Sequence, residues 1–145
     1  MMELFELQRF ADEICESHKI NSVPLIINGR IKQSLGLAYP YDNNWKIELS
    51  YSTMIQPDEI QQSIVIHELC HMILRQGHTK QFARLSEQIH KEIGIREDRT
   101  SKCYHGTVYD SKGNVVNFNW ANNFHVNKKD YEIIVRENRI NKVPE

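Results

Sequence analysis

Several features that commonly announce a function are scarce in this chain. It holds only three cysteines, Cys15, Cys70 and Cys103, in 145 residues. They are odd in number and far apart, which argues against a disulfide scaffold and for a reducing, cytoplasmic compartment. No apolar run approaches the roughly 20 residues of a membrane-spanning helix, so no membrane partner is expected. The opening MMELFELQRFADEICESHK has no basic stretch followed by an apolar one, so it does not read as a secretory leader. Charge of one sign is lacking as well: the formal net charge is −1, which gives no overall pull towards nucleic acid. With 40% hydrophobic and 26% charged residues, the composition is that of an ordinary globular domain with a real core. Histidine is the one excess. Seven occur, four of them between residues 67 and 90.

The near-zero net charge hides a split. Residues 1–78 hold 6 Lys and Arg against 10 Asp and Glu, whereas residues 79–145 hold 12 against 9. A first helix is expected over Glu3–Ser17, where Leu4, Leu7, Phe10, Ala11 and Ile14 recur at three- and four-residue steps. Three short strands follow at Val23–Ile27, Gln33–Tyr39 and Trp45–Tyr51, separated by Asn28-Gly29 and by the turn residues from Pro40 to Asn44. A second helix begins at Pro57, with Asp58 and Glu59 at its positive end, and stops at Gly77. A third spans Lys80–Ile93, capped by Thr79 and ended by Gly94, with Phe82, Leu85, Ile89 and Ile93 on one face. The remainder reads as β: Cys103–Tyr109, a turn at Asp110–Asn114, Val115–Trp120 and Tyr131–Arg136. These elements give an α+β fold with a core over residues 1–94 and a β-rich segment over 95–145.

His67-Glu68-Leu69-Cys70-His71 is an HExxH string inside the second helix. Residues four apart share a helix face with Cβ atoms about 5–6 Å apart, so two imidazoles can converge on one ion. Glu68 is turned about 100° from His67, too far round for an easy ligand and well placed as a general base. A catalytic zinc takes three protein ligands and keeps a fourth position open. His78, in Gly77-His78-Thr79-Lys80-Gln81-Phe82, is the expected third ligand, with Gly77 allowing the reversal that brings it back over His67 and His71. Glu87 or Glu92 on the third helix is the rival third ligand. His18 and His90 read as surface residues, and Cys70 as a small buried one.

The run VIHELCHMILRQGHTKQFARLSEQI resembles the SprT-like metallopeptidase family, in which HExxH on one helix is completed by the histidine of a Gly-His-x-x-x-Phe segment opening the next. The Ser34-Leu35-Gly36-Leu37-Ala38 segment and the Ile47-Glu48-Leu49-Ser50 strand also match in kind, so the resemblance covers roughly residues 1–94. The small YgjP-like metallopeptidases have a similar HELCH arrangement but carry a WGSCS-type segment where this chain has SLGLA. The resemblance implies a minimal zincin-like core and one zinc ion held by His67, His71 and His78, with Glu68 as catalytic acid and base. Many members append a zinc ribbon with four cysteines. Here only Cys103 stands in that region, so a metal-free hairpin is expected there, the alternative being a degenerate site of Cys103, His105 and His125.

The expected activity is hydrolysis of peptide bonds in a protein substrate by water that zinc acidifies and Glu68 deprotonates. Tyr39, Tyr104 and His105 are the candidates for a second oxyanion donor. The alternative is a catalytically silent binding module. DNA is a possible partner of either, since some members of the family act on proteins crosslinked to DNA. Phe118, Trp120, Phe124, Lys128 and Lys129 have the composition of a single-strand platform, and equally that of a hairpin core with a basic turn.

Overall fold

The computed structural model describes residues 1–32, 34–41, 43–96, 106–118 and 125–141. Within them, helix α1 (Leu4–Ser17) starts at a capping box in which the side chains of Glu3 and Glu6 each accept the other residue's backbone N–H. Its stripe buries Leu7, Ala11, Ile14 and Cys15, one residue from the boundary that the periodicity predicts.

Strands β1 (Leu25–Ile27), β2 (Gly36–Tyr41) and β3 (Asn44–Leu49) form a sheet of order β1-β3-β2, with β3 parallel to β1 and antiparallel to β2. Alternation sends Leu25, Ile47, Leu49, Gly36 and Ala38 to the core face, and Glu48, Lys46, Leu37 and Tyr39 to the other. The second strand starts later than expected and runs on through Pro40 to Tyr41, which pairs with Asn44. Proline is tolerated because β2 lies at the edge of the sheet. The third strand stops at Leu49, where Ser50 Oγ accepts the Thr53 N–H at 3.2 Å and opens a short helix, α2 (Tyr51–Met54).

Helix α3 (Asp58–Leu74) runs through the centre, buried on all sides from Ser63 to Cys70, and packs on α1, on the sheet and on α4 (Lys80–Ile93). α4 has the bounds read from the sequence. Thr79 Oγ1 accepts the Phe82 N–H at 3.2 Å, and Gly94 closes the helix at φ 86°. α3 ends earlier than Gly77: Arg75 adopts the left-handed cap at φ 53°.

In the tail, β4 (Gly106–Tyr109) and β5 (Val115–Phe118) pair antiparallel around a turn in which Asp110 Oδ1 accepts the N–H groups of Lys112 and Asn114. Val108 is fully buried in the core, a contribution of about 1.5–3 kcal/mol that fastens the hairpin. The Gln56 amide clasps it, with Nε2 donating to the Tyr109 carbonyl at 2.9 Å and Oε1 accepting the Tyr109 N–H at 2.8 Å. The expected strand at Tyr131–Arg136 is instead part of helix α5 (Lys128–Asn141), so the segment after residue 94 is not purely β. Asn127 explains the difference: its Oδ1 accepts the Asp130 N–H at 2.8 Å and caps the helix, and Tyr131 then stacks on Tyr51 with ring centroids 4.7 Å apart.

Candidate metal centre

The fold brings together the three histidines that spacing singles out. One turn of α3 separates His67 from His71, and the reversal between α3 and α4 returns His78 to their face. The Nε2 atoms of His71 and His78 each lie 3.2 Å from His67 Nε2, and the ligand atoms of all three lie within 4.8 Å of one another. Imidazole–metal bonds of about 2.0–2.1 Å in a tetrahedral arrangement set nitrogens about 3.3–3.4 Å apart. The two separations from His67 Nε2 come close to that value, and with all three ligand atoms in one cluster these residues can hold a metal.

Two further features orient the set. The Gln76 carbonyl accepts from His71 Nδ1 at 2.9 Å. A carbonyl can only accept, so Nδ1 carries the hydrogen and Nε2 turns its lone pair to the cluster. Phe82, the last residue of the Gly-His-x-x-x-Phe segment and part of the apolar face of α4, is fully buried beneath all three rings, its centroid 4.9, 4.6 and 5.2 Å from those of His67, His71 and His78. It walls water from one side of the site. The turn that presents His78 is braced by Thr79, whose hydroxyl donates to Gln76 Oε1 at 2.9 Å.

Glu68 is 5% exposed and lies against β2. A Cβ added to Gly36 meets Glu68 Cγ, Leu49 Cδ2 and the Glu48 carbonyl oxygen, each at 3.3 Å. The absence of a side chain at Gly36 therefore lets the edge strand close on the helix at this glutamate. Spacing marked Glu68; only the register of β2 reveals its neighbour.

The rival ligands lie elsewhere. Glu87 is exposed, and Glu92 accepts from Gln88 at 2.9 Å and pairs with His18 at 3.2 Å, which holds its carboxyl below the usual range. His18 is thus partly covered. His90, expected at the surface, is 2% exposed between α3 and α4. Its Nδ1 donates to the Ser86 carbonyl at 2.7 Å, and Ser63 Oγ lies 2.9 Å from its Nε2.

Tyr39 is not turned to the metal side. Its hydroxyl donates to Glu48 on the outer sheet face, where Asn28 also donates to that carboxylate at 2.8 Å and Lys46 lies 3.5 Å away. Burial pushes the Glu48 carboxyl up, and Asn28, Tyr39 and Lys46 together outweigh it and leave it lowered. Cys70 and Cys15 are buried and in no disulfide, and burial is the main cause that pushes the Cys15 thiol up to about 11. Cys103, Tyr104, His105, Trp120 and Phe124 lie outside the described residues, as does the side chain of Phe118. His125 is exposed and belongs to no metal-binding group among the described residues. Lys128 and Lys129 are exposed on the first turn of α5, with Lys128 3.9 Å from Glu132. No helix among the described residues is long and apolar enough to cross a membrane.

Among protein-family models, that of the SprT-like family matches residues 4–105, more than half of the 145 residues. No curated protein and no solved structure matches the chain. The match spans the sheet, the HExxH helix and the helix that follows, and the chain belongs to the SprT-like family.

Proposed function

We propose that this chain is a zinc-dependent metallopeptidase that hydrolyses peptide bonds in protein substrates in the cytoplasm. The observation that carries this reading is the clustering of three imidazoles with their ligand nitrogens within 4.8 Å of one another, and a buried glutamate one residue from the first of them. Three imidazoles are the donor set of a catalytic zinc with one position left open. A zinc ion there supplies Lewis acidity, acidifying water and polarising a carbonyl.

The remaining work belongs to the chain. Glu68 takes the proton of the attacking water and returns it to the leaving amine, and its burial strengthens its electrostatic influence on the reacting groups. β2 is an edge strand, so an extended substrate adding to that edge runs beside Glu68. The buried Cys15 and Cys70, in no disulfide, fit a reducing compartment.

Elemental analysis combined with a Glu68→Gln variant tests the proposal. The purified chain is expected to hold about one equivalent of zinc. The variant keeps that zinc and loses about 10²–10⁴-fold in hydrolysis of a casein-like substrate. Full activity in the variant removes Glu68 from the mechanism. Zinc at one equivalent with no hydrolysis by the unmodified chain overturns the enzyme reading and leaves a metal-stabilised binding module.

A further inference from the structure

Beyond His71, α3 leads into two adjoining hollows of about 570 and about 280 Å³ that share Asn21, Asn44, Trp45 and Arg75 in their walls. Tyr41 borders the larger and Lys19 the smaller. We propose that this groove binds an acidic stretch of the polypeptide substrate, away from the bond that is cut. The proposal rests on the peptidase reading for the word substrate; the groove itself rests on the geometry that follows.

Two elements run from the metal centre to the groove. Arg75 follows His71 by four residues, about 6 Å further along the helix axis. β2 passes Glu68 at Gly36 and reaches the groove at Pro40, about 13 Å on at 3.3 Å per residue. Gly36, Ala38 and Pro40 share one face of β2. A peptide lying along that edge therefore reaches both the glutamate and the groove.

Charge indicates the occupant. Residues 1–78 are acidic in sum, yet two cations, Lys19 and Arg75, stand in the walls of the hollows. Neither forms an ion pair with a described residue.

The backbone adds an independent sign. Lys19, Asn43 and Arg75, at φ 57°, 61° and 53°, are the non-glycine residues with positive φ among those described, and all three line the hollows. Helix dipoles favour cations at the ends of α1 and α3, but the left-handed position there ordinarily goes to glycine or asparagine. That both ends carry a long cation in that position, and meet at one groove, is the geometry of a clamp.

Asn21, Asn43 and Asn44 each offer an amide donor and an acceptor, which suits peptide groups, while the two cations suit Asp or Glu side chains. A phosphate backbone presents its charges at every residue and is better matched by a longer row of cations than two.

Binding decides the matter without turnover. In the zinc-loaded Glu68→Gln protein, fluorescence anisotropy compares a labelled Glu-rich peptide, its Gln-substituted counterpart and an oligothymidylate. The Glu-rich peptide is expected to bind about tenfold or more tightly than the Gln form, less so as salt rises, with that preference lost in Lys19→Glu/Arg75→Glu. Lys19→Asn/Arg75→Asn keeps a residue that accepts the left-handed backbone, and is expected to lose the same preference with an unchanged circular dichroism spectrum. Equal binding of the two peptides, or a preference that survives both variants, overturns the proposal. So does tighter binding of the oligothymidylate through Lys19 and Arg75, which gives the groove to a nucleic acid. Hydrolysis of the same peptides by the unmodified protein is read separately, so failure of the peptidase reading and failure of the groove are distinct results.

Discussion

Along the α3–α4 interface, one helical turn separates two arrangements of histidine. At one level His67 and His71 meet His78 over Phe82, and their three ligand nitrogens lie within 4.8 Å of one another. A turn towards the start of α3, Ser63 meets His90, and one turn back along α4 Ser86 offers His90 its carbonyl. The residue type and the helix pair are the same, but the chemistry differs. At His90 each ring nitrogen has a hydrogen-bonding partner within the fold, so the imidazole is complete without an ion. At the other level three ring nitrogens are brought within 4.8 Å of one another, an arrangement that a cation stabilises and that apolar packing alone does not. Convergence of like groups, more than burial or the count of histidines, separates a metal centre from a structural histidine.

The largest expected effect breaks the convergent set. His67→Ala or His71→Ala is expected to lower bound zinc from about one equivalent to a small fraction, with hydrolysis lost in step. His90→Gln is expected to leave the zinc content unchanged. Equal loss of metal in both kinds of variant abolishes the distinction between the levels. The stability of the metal-free protein runs the other way. His90→Leu removes the partner of the buried Ser63 hydroxyl, and is expected to destabilise by about 1–3 kcal/mol in urea denaturation, whereas His71→Ala on the partly exposed face costs less.

A smaller effect touches the geometry of the convergent level without its ligands. Gly36→Ala places a methyl 3.3 Å from both the Glu48 carbonyl and Glu68 Cγ. The carbonyl belongs to the paired strand β3 and is held in the sheet, so Glu68 is the group that gives way. A shift of a few tenths of an ångström is expected to lower kcat about three- to tenfold with metal content unchanged. An unaltered kcat means that β2 does not set the position of the glutamate.

The difference between the two levels was only half legible in the sequence. HExxH with His78 eleven residues after His67 carries its own geometry, because four-residue spacing on a helix is nearly rigid, and the Thr79 and Gly94 caps set the bounds of α4. His90 reads as a surface residue on the helix that carries Glu87 and Glu92; its burial depends on Ser63, 27 residues earlier, a contact that no local pattern encodes. The same holds for Tyr39, whose place follows from sheet register. At Tyr131–Arg136 the run YEIIVR satisfies both periods, and the Asn127 cap decided for helix. The third strand ended early for a similar reason, the Ser50 cap on α2.

Glu48 is a second closed arrangement, on the sheet, and extends the comparison to pH. Its carboxyl is lowered from 4.5 in the fold. A lowered carboxyl contributes stability that is present above the unfolded value and is lost as pH falls through the folded one. Glu48→Gln is therefore expected to flatten the acid limb of the stability profile below about pH 4.5, by at most one proton's worth of slope. Bound zinc at neutral pH stays at one equivalent, since this cluster lies on the outer face. An acid limb as steep as before assigns the slope to other carboxyls.

The smallest expected effect concerns what holds His78 in the convergent set. The sequence suggested Gly77 as the residue that allows the chain to reverse. The left-handed turn is made by Arg75, however, while Gly77 is outside the positive-φ region and a Cβ added to it meets nothing within 4 Å. The reversal is instead held by groups around it: the Gln76 carbonyl on His71, the Thr79 hydroxyl on Gln76 and the Thr79 cap on Phe82. Gly77→Ala is then a substitution that restricts the unfolded chain and leaves the folded one unstrained, worth about 0.4–1 kcal/mol of added stability. Zinc content and hydrolysis are expected to stay as they are. A destabilised variant, or one that releases zinc, returns the role of hinge to Gly77 and makes the third ligand dependent on glycine rather than on the bonds across the turn.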